Sequence, residues 1–209
     1  MTEIPFTSEE VIAAAGVHPL KVKNIFLYGS RVYGTANETS DWDIIIIASH
    51  MLAHEEKKVT VNGALLNIHI FTPDYFKEEL KLHHPRALEC LFAPEWIVLL
   101  NKVPLVQEIN IKRLVMDTLN ESRNRWRRAK NAILEYNFYT GQKSAFHSLR
   151  ILIFAIQVAE HGKIIDYSAA NYLYPQIVGV DEIDWDFYRE TFLPTKIELE
   201  EKLKTFHKQ

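Results

Sequence analysis

The sequence predicts an α+β protein in two parts, a mixed sheet with flanking helices over residues 1–103 and an all-α region over 104–209. Three observations carry that expectation. Strand-like runs, including the four isoleucines at 44–47, fall in the first part. An Asn62-Gly63 pair, the strongest two-residue hairpin signal, separates two of them. From about Glu108 onward, apolar residues recur at helical spacing without a further strand signal.

The elements follow in order from local signals. Thr7 or Ser8 suits the N-cap of a helix with Glu9 and Glu10 in its first turn, running to Ala15 and ended by Gly16. Asn24 to Tyr28 reads as a first strand, Gly29-Ser30 as a turn, and Trp42 to Ala48 as a second strand, apolar enough to be buried on both faces. Lys57 to Val61 and Ala64 to Phe71 make the hairpin. Pro73 opens a helix to about Leu82, and Pro85 a shorter one carrying Leu88, Leu91 and Phe92. A soft boundary lies near Asn101 to Pro104, and helical spacing then runs through 109–134, 144–159 and 187–203.

Bulk properties narrow the class. With 209 residues, 47% of them hydrophobic, the chain can hold one large domain or two small ones. A net charge of −3 excludes a protein that coats nucleic acid through its overall charge, so an anionic partner must be met by a local basic patch or a metal. The lone Cys90 excludes an internal disulfide and reads as a small core residue. No apolar stretch is long enough to span a bilayer, and the acidic start does not read as a signal; the expectation is a cytoplasmic protein without a membrane partner.

The chemistry concentrates in residues 29–43. Side chains at i and i+2 of a strand share a face, so Asp41 and Asp43 project together while Trp42 points away. Two carboxylates at the mouth of an otherwise apolar strand are hard oxygen ligands for Mg²⁺, arranged as two-metal phosphoryl transfer requires. Gly29 lets the backbone approach a phosphate, and Ser30 offers an amide and a hydroxyl to it. Each part alone is an ordinary turn or strand edge; the combination is not.

Gly29, Ser30, Gly34, Thr35, Ser40, Asp41 and Asp43 stand in the order and spacing of a known signature, and the segment resembles the DNA polymerase β-like nucleotidyltransferase superfamily. The phrases 85–94 and Lys143 to Arg150 resemble one branch of it, the RNA-ligase-associated predicted nucleotidyltransferases. The resemblance covers most of residues 20–165. It implies a catalytic core followed by a helical domain, and transfer of a nucleoside monophosphate from an NTP, ATP foremost, to a hydroxyl. Asp41 and Asp43 would hold the metals, and Gly29, Ser30, Arg31 and Ser40 would serve the nucleotide. The acceptor it suggests is an RNA or tRNA end, by analogy.

The superfamily uses a third carboxylate on the neighbouring strand, where this chain has Leu65 to Phe71, with Asn67 and His69 on one face and no acid. Three readings stay open. Asn67 or His69 replaces the ligand, an imidazole favouring Mn²⁺ over Mg²⁺; Asp74 or Glu89 supplies it from elsewhere; or the site binds nucleotide with little or no turnover. Outside the core, His83-His84, and His50 with His54, lack the partners that complete a zinc set.

In the helical part Lys143, His147 and Arg150 fall at i, i+4 and i+7, opposite an apolar stripe of Phe146, Leu149 and Ile153. They are either a solvated face or, as the family phrase implies, charges that close over the triphosphate. Arg123, Arg127 and Lys130 make a second stripe, a place for an RNA backbone or a charged surface. The alternatives to transfer onto RNA are nucleotidylation of a small molecule or a protein, and a degenerate nucleotide- or RNA-binding module.

Overall fold

The computed structural model describes residues 4–181 and 184–208. The chain folds as two compact units, Met1–Gln107 and Glu108–Gln209. The first is a five-stranded mixed sheet with helices against it. Its elements are α1 (Ser8–Ala15), β1 (Val22–Tyr28), α2 (Ser30–Tyr33), β2 (Trp42–Ala48), β3 (His54–Val61), β4 (Ala64–Phe71), α3 (Pro73–Lys81), α4 (Pro85–Leu91) and β5 (Val98–Asn101). The strand order is β3-β4-β2-β1-β5. Only β2 and β4 run parallel; the other neighbours are antiparallel.

Local chemistry sets the helix ends. Thr7 and Glu10 form a reciprocal capping box, and Gly16 closes α1 in the left-handed conformation. Thr72 caps α3, whose first residue is Pro73. The central strand β2 is buried on both sides. Ile45 and Ile47 join Phe26 and Phe71 in a core closed by Phe76 and Leu80 of α3 and by Ala87 and Cys90 of α4. Ile44 and Ile46 turn to the other face, together with Leu66, Ile68 and Ile70 of β4. On that face Lys57 Nζ donates to the Ala15 carbonyl at 2.8 Å, tying α1 to β3, and Phe6 meets Trp42 edge to face.

The second unit has no strand among its described residues; its helices include α5 (Ile111–Leu134), α6 (Phe138–His161), α7 (Tyr174–Ile177) and α8 (Trp185–Thr205). Phe146 and Leu149 of α6 pack with Ile133 of α5, Ile177 of α7 and Trp185, Tyr188 and Phe192 of α8. Gly141 sets the approach of the two long helices, since a methyl group there would stand 2.5 Å from Ile133 Cγ1. Asn110 caps α5 by accepting from the Arg113 amide.

Candidate active site

Tyr28 of β1 opposes Asp43 of β2, and Asp43 opposes Asn67 of β4. Opposed residues share a face, so these three side chains form one row, with His69 two positions further along β4. Helices α3 and α4 cover the same face further along, over Ile45, Ile47 and Phe71. Beside a carboxylate and largely shut from water, the Tyr28 hydroxyl titrates far above its ordinary value, first through burial and then through the charge of Asp43.

The Asp43 carboxylate lies in the space that a side chain on Gly29 would fill. A methyl group at Gly29 would stand 2.1 Å from Asp43 Oδ2 and 2.8 Å from Cγ. Gly29 itself has φ 81° and ψ −160°, a region essentially restricted to glycine. The Gly-Ser turn and the second aspartate are therefore fitted to one another.

Asn67 links the carboxylate to two imidazoles. Its Nδ2 donates to Asp43 Oδ1 at 3.1 Å and lies 3.3 Å from His69 Nε2. An amide nitrogen only donates, so His69 Nε2 accepts, the proton of the neutral ring sits on Nδ1, and Nδ1 donates to His54 Nε2 at 3.1 Å. Burial lowers the titration of His69 from its ordinary value, against the pull of Glu56; burial and then Arg86 lower that of His54. Both rings are kept neutral near pH 7. The two are stacked at 5.4 Å, and His54 stacks on Phe71 at 4.4 Å.

The other atom of the same amide, Asn67 Oδ1, is buried with no hydrogen-bond partner. Leaving such an oxygen unmatched costs about 1–3 kcal/mol, which a cation ligated there would offset. Asp41, Asp43 and Asn67 Oδ1 are all hard oxygen donors, the chemical kind that Mg²⁺ or Mn²⁺ takes. Among the described residues no three of His, Cys, Asp and Glu gather as a metal cluster. Of the two acids considered as a third carboxylate from elsewhere, Asp74 is exposed in the first turn of α3, beyond the far end of β4, and Glu89 is buried on α4, where the Tyr33 hydroxyl donates to it and its charge acts on Tyr28, the neighbour of Asp43.

Arg31 and Ser40 shape the loop that delivers Asp41. The Arg31 guanidinium lies 4.4 Å over the Trp42 ring, donating from Nε to the Asp41 carbonyl at 3.3 Å and from Nη2 to the Ser40 carbonyl. Ser40 Oγ donates to Asn37 Oδ1 at 3.0 Å and accepts from the Asn37 amide at 2.9 Å. The sequence offered no signal for this use of Arg31, nor for the pairing of His54 with His69 across the hairpin.

In the second unit Lys143, His147 and Arg150 do share a stripe of α6, but it is not a solvated one: Arg150 is 6% exposed, its guanidinium 5.3 Å from the Phe154 ring. His147 Nδ1 is shut from solvent without a hydrogen-bond partner. Burial holds its imidazole well below the ordinary value, reinforced by Arg150 and Lys143 from α6 and by Arg125 and Arg128 from α5. The two α5 arginines are an addition to the group read from sequence. Arg123, Arg127 and Lys130 are exposed on α5, with Arg127 donating to Asn124 at 3.2 Å.

The first unit thus has the architecture of a polymerase β-type nucleotidyltransferase core, and a mostly helical region follows it. Residues 10–93 match the family described as Polymerase beta, Nucleotidyltransferase. Among solved structures the chain is similar to spectinomycin adenyltransferase AAD(9) from Enterococcus faecialis, crystallised with ATP and spectinomycin, at 14% identity and a TM-score of 0.50, over 95% of this chain and 100% of that one. It is also similar to a nucleotidyltransferase-like protein from Exiguobacterium sibiricum at 14% identity and a TM-score of 0.36, over 95% of this chain and 74% of that one. Comparison with curated protein sequences returns no match. Among the described residues no helix is long and apolar enough to cross a membrane.

Proposed function

We propose that this protein is a metal-dependent nucleotidyltransferase that moves a nucleoside monophosphate from an NTP, ATP foremost, to a hydroxyl group at an RNA end. The observation that carries the reading is the fit of Gly29 against the Asp43 carboxylate beside the unmatched oxygen of Asn67. Asp41, Asp43 and Asn67 Oδ1 would hold the divalent ions of a two-metal mechanism. When bound, those ions supply positive charge against the phosphates and acidify the attacking hydroxyl. The acceptor hydroxyl gives up its proton to water, its oxygen bonds to the α-phosphorus, the bond from that phosphorus to the bridging oxygen breaks, and pyrophosphate leaves.

The chain's own residues orient these groups. Gly29 and Ser30 bring backbone close to the phosphates. Arg31 and Ser40 fix the backbone that carries Asp41. His69, itself anchored on His54, accepts the second amide hydrogen of Asn67 and so keeps that amide turned toward Asp43. In the second unit Lys143 and Arg150, with Arg125 and Arg128, gather positive charge around the His147 imidazole. Two things support RNA as acceptor: the likeness of the 85–94 and 143–150 phrases to an RNA-ligase-associated branch, and the exposed cations Arg123, Arg127 and Lys130. A small-molecule acceptor is the second reading, favoured by the spectinomycin adenyltransferase whose fold spans the chain.

Transfer of label from α-³²P-NTP to tRNA, total RNA, aminoglycosides or protein, with Mg²⁺ or Mn²⁺, tests this directly. Labelled RNA is the expected product, with Asp41→Ala and Asp43→Ala each abolishing it. Label on an aminoglycoside alone gives the second reading, and NTP binding without transfer to any acceptor gives a nucleotide-binding module.

A further inference from the structure

The central strand carries a cavity on its other face. A cavity of about 850 Å³ opens in the first unit, lined by Leu27, Val32, Ala36, Trp42 and Trp96, with Arg31, Asn37 and Glu38 among its polar groups. By strand alternation Leu27 and Trp42 point away from Tyr28 and Asp43, so the cavity lies across the sheet from the Asp43 carboxylate. Its volume falls within the range of small-molecule sites, and a mostly apolar wall with a few polar groups is their usual make-up.

The lining specifies more than apolarity. Trp96 is 42% exposed, a large aromatic surface that folding leaves uncovered, while Trp42 is 6% exposed at the floor. Arg31 and Glu38 bring one positive and one negative charge, so the lining favours a neutral ligand over an ion. Asn37 Oδ1 is saturated by the Thr39 amide, the Thr39 hydroxyl and the Ser40 hydroxyl, which leaves the amide nitrogen as its donor. Two kinds of donor and a carboxylate acceptor beside indole rings match a flat, uncharged heterocycle that carries acceptors and donors on one edge.

We propose that this cavity binds a nucleobase, stacked on the exposed Trp96 indole and read by Asn37, Arg31 and Glu38, at a site separate from the one proposed for the NTP phosphates. Stacking of a base on an aromatic side chain tolerates any base, and the polar edge selects among them. The site also reaches the catalytic loop. Arg31 holds the carbonyls of Ser40 and Asp41, and Trp42 lies between the two aspartates, so an occupant pressing on either group bears on the backbone of Asp41. The base belongs either to a free nucleoside or to a nucleotide strand.

Quenching of tryptophan fluorescence by adenosine, guanosine, cytidine and uridine, without metal, is the test. At least one nucleoside should quench saturably, and indole, which stacks but lacks the base edge, should bind at least tenfold more weakly. Ala36→Trp, which fills the cavity, and Trp96→Ala, at a half-exposed position, should each lower affinity at least tenfold with an unchanged circular dichroism spectrum. Asp43→Ala should bind the nucleoside as the parent does, which separates this site from the proposed catalytic one. A short single-stranded oligonucleotide binding at least tenfold tighter than the nucleoside, and losing that gain in Trp96→Ala, assigns the base to a strand; equal binding assigns it to a free nucleoside. Absence of saturable quenching, indole equal to the nucleosides, full affinity in both cavity variants, or lost affinity in Asp43→Ala overturns the proposal.

Discussion

Gly29 and Asn67 touch the same carboxylate from two sides, and each gives a distinct expectation. A methyl group at Gly29 meets Asp43 Oδ2 at 2.1 Å, and the glycine-only backbone region adds strain of about 1–3 kcal/mol for any other residue. Gly29→Ala should therefore lower the melting temperature and displace the carboxylate; a misplacement of about 1 Å is enough to cost roughly a hundredfold in rate. Thermal melts and label incorporation measured on the same preparation check both effects. Asn67→Asp tests the opposite side. It replaces a donor to Asp43 with a second negative charge, so the variant should be less stable than the parent by about 1 kcal/mol in chelator. With Mg²⁺ present the order should change, because a third carboxylate strengthens the oxygen donor set, and the Mg²⁺-induced rise in melting temperature should exceed that of the parent. Equal shifts in the two proteins would remove Asn67 from the ligand set.

At the scale of elements, helix α6 carries an imidazole that burial and four surrounding cations keep neutral. The folded His147 takes up a proton only well below its ordinary value of 6.5, while the unfolded chain takes it near 6.5. Between those two points the unfolded state binds the extra proton, so stability is complete above about pH 6.5 and falls as the pH drops, by up to about 1.4 kcal/mol per pH unit. His147→Gln should flatten that dependence between pH 7 and 5 in denaturant titrations; parallel curves for variant and parent would place the acid sensitivity elsewhere. Sequence pattern reaches elements of this kind unevenly. Helix α1 was legible end to end because Thr7, Glu10 and Gly16 are local signals, and β2 because a run of isoleucines has few other uses. Strand β5 was missed: four residues at the sheet edge, Val98 to Asn101, show no alternation to read. Strand β3 begins three residues before the expected Lys57, since charged residues on an edge strand look like loop until their pairing with β4 is seen. The site divides the same way. Asp41, Asp43 and Gly29 announce themselves by spacing, whereas His54 meets His69 across 15 residues and Tyr33 meets Glu89 across 56, distances no local pattern encodes.

For the whole molecule, charge distribution governs which acceptor the protein can hold. The chain is acidic overall, with a net charge of −3, so affinity for RNA cannot come from a general positive field and must come from a patch. Arg123, Arg127 and Lys130 recur at helical spacing and are exposed on α5, which makes them available to a phosphate backbone. Neutralising phosphates releases condensed counterions, and each contact with a single strand steepens the dependence of log affinity on log salt by about 0.7. Changing all three to Gln should therefore weaken RNA binding alike for every sequence and flatten the salt slope by about 2, with nucleotide binding unaltered. Filter binding over a range of KCl concentrations, with an RNA that accepts label, is the direct measurement. If the slope and affinity stay as in the parent, the stripe is an ordinary solvated helix face. A small hydroxyl compound, which needs no such patch, then becomes the better account of what receives the nucleotide.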